Sequence, residues 1–127
     1  MSEGLKVLLV EDDPMVVRMY QKKLTMDGYN VSLAFNGEEG LAAIAKDRPD
    51  IILLDIMMPK MNGFEVLNVL KNDESLKNIP VIVLTNMDDR SEHMEKIRQL
   101  GANDYLVKAN TSLKDLSAII EKNATKS

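Results

Sequence analysis

The chain has 127 residues, 45% of them hydrophobic, which fits one folded domain with a real core and excludes a disordered segment. It holds no cysteine, so disulfides, zinc–thiolate centres and thiol nucleophiles are excluded. A net charge of −4 with no basic cluster argues against direct nucleic-acid binding, and the lack of a signal-like start or a membrane-length apolar run predicts a cytoplasmic protein with no membrane insertion.

In chain order, the first element is a strand near 5–11 built on the apolar run Val7-Leu8-Leu9-Val10, which ends in Glu11-Asp12-Asp13. A helix follows, with Asp13 as cap, Pro14 at its first position, an inner stripe of Val16, Val17, Tyr20 and Leu24, and Gly28 as its stop. The second strand, near 30–35, alternates as Val31, Leu33, Phe35, and the second helix carries Leu41, Ala42 and Ala45. Strand three, 51–55, runs Ile51-Ile52-Leu53-Leu54 into Asp55, and the third helix carries Val66, Leu67 and Leu70. Strand four, 81–85, is Val81-Ile82-Val83-Leu84-Thr85. Helix four, roughly 90–100, offers only Met94, Ile97 and Leu100, a thin stripe that predicts a loosely docked element. Strand five, 104–107, precedes Lys108. The last helix carries Leu113, Leu116, Ile119 and Ile120, with Ser112 as its cap. The ordered core spans about 4–123.

Five alternations of strand and helix predict a parallel sheet with helices on both faces. Runs one, three and four are apolar throughout, as central strands covered on both faces must be. Runs two and five suit the edges. With right-handed crossovers this gives an α/β, flavodoxin-like, doubly wound five-stranded sheet in the order 2-1-3-4-5.

Ligands bind such sheets beyond the C-terminal strand ends, at the switch point between strands one and three. Glu11, Asp12 and Asp55 meet there. Two unit charges about 5 Å apart repel by roughly 3 kcal/mol even at an effective dielectric near 20. A divalent cation relieves that repulsion, and hard oxygen donors suit Mg²⁺ or Ca²⁺. Thr85 and Lys108 end neighbouring strands. Together these are the parts needed to phosphorylate a carboxylate, with Asp55 as nucleophile. Each residue alone has a plainer explanation as a turn, a cap or a solvated side chain; their joint placement carries the reading. His93, the sole histidine, has no partner for metal or triad chemistry and is expected on an exposed helix face.

These residues make the chain resemble the response-regulator receiver family of two-component signalling along nearly all of 1–127. The resemblance rests on Glu11-Asp12, on Asp55 within Asp-x-Met-Met-Pro-x-Met-x-Gly, and on Thr85, Tyr105 and Lys108. It implies that Asp55 accepts a phosphoryl group from a histidine kinase or phosphotransfer protein. Mg²⁺, or Mn²⁺ in its place, would be held by Asp12, Asp55 and the Met57 backbone carbonyl, with Glu11 acting through water. Thr85 and Tyr105 would form the switch, and output would pass to a protein target rather than through any enzymatic activity beyond the domain's own phosphorylation and dephosphorylation. Met57 and Met87, two residues beyond Asp55 and Thr85, would flank the path of the hydrolytic water, with Asn86 adding bulk. Two positions depart from the family pattern: Ala109 stands where a proline usually follows the lysine, and Asn86 where a small residue usually follows the threonine.

Rival readings fare worse. A flavodoxin-like FMN carrier needs a hydroxyl- and glycine-rich loop where this chain has Glu11-Asp12-Asp13-Pro14. An aspartate-nucleophile phosphohydrolase needs a second carboxylate where Met57 stands. A phosphate-independent scaffold, or a receiver module cut from a larger regulator, keeps the fold and changes the context.

Overall fold

The computed structural model describes residues 4–58, 60–86, 91–108 and 112–124, with residues 91–93 described by backbone alone. Strands and helices alternate as β1 (Lys6–Val10), α1 (Pro14–Met26), β2 (Asn30–Ala34), α2 (Gly37–Lys46), β3 (Ile51–Asp55), α3 (Gly63–Lys71), β4 (Val81–Thr85), α4 (Ser91–Gln99), β5 (Asp104–Val107) and α5 (Leu113–Ala124). All neighbouring strands pair in parallel, in the order β2-β1-β3-β4-β5. The apolar runs occupy the three central strands, and the alternating and short segments take the edges.

Side chains alternate across the pleat and build two cores. Leu8, Val10, Ile52, Leu54, Val81 and Val83 face α2, α3 and α4, where Ile44, Leu67 and Ile97 meet them. Val7, Leu9, Ile51, Leu53, Leu84 and Leu106 face α1 and α5, meeting Val17, Tyr20, Leu24, Leu116 and Ile120. Each helix thus covers one sheet face with one stripe, and the polar strand ends stay at a common edge.

Two expected stripes need correction. In α2 the inward residues are Gly37, Gly40 and Ile44, with Leu41 half-buried, whereas Ala42 and Ala45 are exposed. The helix rotates that way because Gly40 lets it settle on β1: a Cβ there would lie 3.2 Å from Val10. In α5, Leu113 is 39% exposed because it sits in the first turn, beside the capping Ser112, whose hydroxyl accepts from the Asp115 N–H at 3.1 Å.

The turn from β3 into α3 is tight. Lys60 takes a left-handed φ of 67°, and Asn62 and Glu65 form a reciprocal capping box. The Gly63 N–H donates to the Ile56 carbonyl at 2.8 Å. A Cβ at Gly63 would lie 2.4 Å from the Asp55 carbonyl oxygen and 2.7 Å from the Ile56 Cα. Gly63→Ala therefore forces the backbone of Asp55 itself to shift. The expected result is a loss of about 3 kcal/mol in urea unfolding, typical of overpacking against backbone. A variant as stable as its parent would show that the loop yields without strain.

Candidate functional site

The strand ends bring the predicted residues together. After β1, the Glu11 N–H donates to the Ala34 carbonyl at 3.0 Å, which extends the pairing by one residue and carries the Glu11 side chain inside, fully buried. Asp12 next to it is exposed. Asp13 leaves the cluster to cap α1, its Oδ1 accepting from the Met15 N–H at 2.9 Å. At the end of β3, Asp55 is 2% exposed. Carboxylate oxygens of Glu11, Asp12 and Asp55 lie within 4.8 Å of one another. Thr85, at the end of β4, is 1% exposed. The Lys108 N–H donates to the Thr85 carbonyl at 2.7 Å, which seats the lysine directly beyond β5.

Lys108 is no solvated surface residue. Its Nζ donates to Glu11 Oε1 at 3.0 Å and stands 3.5 Å from Asp55 Oδ1, with only 9% of the side chain exposed. Burial alone would lower the ammonium pKa, but bonding and charge from Glu11 and Asp55 outweigh it and the net direction is upward. The other Glu11 oxygen accepts from the Asp13 N–H at 3.1 Å. Asp55 Oδ1 accepts weakly from the Met57 N–H at 3.3 Å. Burial, then the Glu11 carboxylate, push Asp55 up to about 7, with Lys108 pulling the other way. Without a further cation, Asp55 is therefore partly protonated near neutral pH.

Three hard carboxylate donors converging on one small volume fit a divalent cation of the Mg²⁺ type. Met57 projects outward at 58% exposure, Tyr105 at 41%, and Asn86 is exposed. Met87 and Ala109 lie outside the described residues, as does the side chain of His93. What went unforeseen is the buried Lys108–Glu11 pair, which joins residues 97 apart in sequence. The capping box had a readable signal in Asn62-x-x-Glu65.

Comparison with known proteins agrees with this geometry. Response regulator PleD of Caulobacter vibrioides is 44% identical over 103 residues, covering 81% of this chain and 22% of its own length. Response regulator MprA of Mycobacterium avium is 40% identical over 104 residues, covering 82% of this chain and 44% of its own. The chain thus spans less than half the length of these curated relatives. Among solved structures, the Vibrio cholerae chemotaxis protein CheY4 is 31% identical with a TM-score of 0.87, covering 94% of this chain and 98% of its own. A family model for the response regulator receiver domain matches residues 7–121, a stretch that holds the acid cluster, Thr85 and Lys108 alike. With nearly the whole chain inside that match, and the same fold in the solved relatives, the protein belongs to the response regulator receiver domain family.

Proposed function

We propose that the chain is a phosphorylation-activated switch in which Asp55 takes a phosphoryl group from the phosphohistidine of a histidine kinase or phosphotransfer protein. The observation that carries this reading is the buried Asp55 carboxylate, held between Lys108 and the acids of the β1 end. In the transfer, an Asp55 Oδ attacks phosphorus, the P–N bond to the donor imidazole breaks, and the imidazole leaves with the bond's electron pair. Lys108 stands where it can move from Glu11 to a phosphoryl oxygen, and the Thr85 hydroxyl serves another. Asp12, Asp55 and the Met57 carbonyl would hold Mg²⁺, or Mn²⁺, with Glu11 acting through water. The bound cation would neutralise phosphoryl oxygens during transfer. A receiver-domain structure from a Pseudomonas aeruginosa sensor histidine kinase, 29% identical with a TM-score of 0.87 and covering 96% of this chain and 98% of its own, has a magnesium ion coordinated in its active site cleft.

Receiver domains are signalling switches, and here Thr85 and Tyr105 would couple the phosphoryl group to the face formed by α4, β5 and α5. Output then passes by contact with a protein target. Among the described residues no helix is long and apolar enough to cross a membrane. We place the protein's work in the cytoplasm, beside its phosphodonor.

Incubation with Mg²⁺ and a small phosphodonor, followed by intact mass, tests the reading; one phosphoryl increment is expected. In Asp12→Ala the cation loses its exposed carboxylate, and phosphorylation is expected to slow at least about a hundredfold, equivalent to roughly 3 kcal/mol of transition-state stabilisation. A variant phosphorylated at the parental rate would remove Asp12 from the metal set.

A further inference from the structure

The corner between β2 and α2 supplies no ligand to the acid cluster, yet it holds both of the loops that do. At the end of β2 the Ala34 carbonyl accepts the Glu11 N–H at 3.0 Å. Three residues on, the Gly37 N–H donates to the Met61 carbonyl at 3.1 Å. Gly37 opens α2, where the first N–H groups have no partner inside the helix, so this donor can reach across to the turn after β3. Asn36 and Glu39 make the corner firm. Asn36 Oδ1 accepts from the Glu39 N–H at 2.9 Å, and the Phe35 N–H donates to Glu39 Oε1 at 2.8 Å.

The approach of α2 to Met61 is closer than any side chain allows. A Cβ on Gly37 would lie 2.3 Å from the Met61 carbonyl oxygen and 2.8 Å from both Cβ and Cγ of Met61. Met61 follows Lys60, whose left-handed φ of 67° is uncommon outside glycine and persists only where neighbours enforce it. Gly63 closes the base of the same turn on Asp55 and Ile56. With the base shut, a push at Met61 is taken up within the turn, where Met57 stands. Mg²⁺ takes oxygen donors at about 2.1 Å in a near-octahedral set, whereas Ca²⁺ accepts about 2.4 Å and looser geometry. A shift of a few tenths of an ångström in the turn therefore counts against the smaller ion first.

We propose that Gly37 is a positioning residue that sets cation selectivity: seated on Met61, it fixes where the Met57 carbonyl stands against the acid cluster and so favours Mg²⁺ over Ca²⁺. The inference rests on the cation reading of Glu11, Asp12, Asp55 and the Met57 carbonyl.

Amide NMR titrations of the full chain with MgCl₂ and with CaCl₂ test it, with the Met57 N–H, which lies 3.3 Å from Asp55 Oδ1, as reporter. Gly37→Ala is expected to bind Mg²⁺ about tenfold more weakly and Ca²⁺ less than about threefold more weakly. Gly40→Ala is the control: it crowds α2 against the Val10 side chain at 3.2 Å without touching the turn, and is expected to keep the wild-type ratio of the two affinities. Equal weakening of both ions in Gly37→Ala, unchanged Mg²⁺ affinity, or the same change of ratio in Gly40→Ala would overturn the inference. A second measurement needs no variant and decides the matter if Gly37→Ala does not fold. Coupling is reciprocal, so saturating Mg²⁺ is expected to slow hydrogen exchange at the Gly37 amide severalfold. The Gly40 amide, bonded to the Asn36 carbonyl at 2.9 Å in the same helix, is expected to change less. A Gly37 amide that slows no more than Gly40 would overturn the inference while leaving the cation site in place. If the wild type binds neither ion, the cation reading fails and this inference with it.

Discussion

Asp55→Asn is expected to yield a protein that accepts no phosphoryl group and yet resists unfolding better than its parent at neutral pH. Burial, followed by the Glu11 carboxylate, raises Asp55 from 3.8 to about 7 in the folded, metal-free chain. Between those values the folded protein keeps a proton that the unfolded chain has released. Wild-type stability therefore falls as pH rises from about 4 to 7 and is level above that. The loss is on the order of 4 kcal/mol near neutrality, at 1.36 kcal/mol per unit. Asparagine cannot ionise and escapes it. Urea unfolding in a chelator at several pH values is expected to show the variant's advantage growing between pH 4 and 7. An advantage that is flat with pH, or that grows towards acid, would mean that Asp55 carries no such strain. Undiminished phosphoprotein in the same variant would remove it as the acceptor.

The second large effect concerns the lifetime of the acyl phosphate. Met57 stands beside Asp55, more than half exposed, with its backbone N–H on Asp55 Oδ1. By the family pattern its side chain would border the route of the hydrolytic water. A thioether accepts hydrogen bonds weakly and donates none, so it cannot orient that water, and its bulk shields the phosphoryl group. Slow self-dephosphorylation is expected. Met57→Asn or Met57→Glu, which can hold a water, is expected to speed hydrolysis about tenfold, roughly 1.4 kcal/mol of barrier. The check is the decay of phosphoprotein by intact mass after the donor is removed. Decay within seconds in the wild type, or an unchanged lifetime in both variants, would contradict the argument.

The strands and their order were legible because burial on both faces writes itself as an apolar run, and edge position as alternation or brevity. Asp55, Thr85 and Lys108 could be placed at one rim because each directly follows such a run. Less legible was anything that depends on small residues or on distant partners. Gly37 and Gly40 turn α2 inward without adding hydrophobicity, so an apolar stripe misses them. Lys108 could be assigned to the site but not its partner, because Glu11, which holds it, lies at the other end of the chain.

The C-terminal end of α4 is tied to the sheet by one buried side chain and by the turn that follows it. Ile97 is 3% exposed, Gly101 turns the chain at φ 93°, and Asn103 clasps Val81 twice, its N–H donating to the Val81 carbonyl and its Oδ1 accepting from the Val81 N–H, each at 2.9 Å. Lys96 adds a contact across the Phe64 ring at 4.2 Å. Fastened there, α4 would tilt, on phosphorylation, as a lever with its fulcrum beside β4. Nine residues make an arm of about 13 Å, so a tilt of about 10° carries the far end roughly 2 Å. That far end adjoins the segment leading from Thr85. A displacement too small to disturb the core at the fulcrum would thus become, at the tip, a shift as large as a partner's side chain can read.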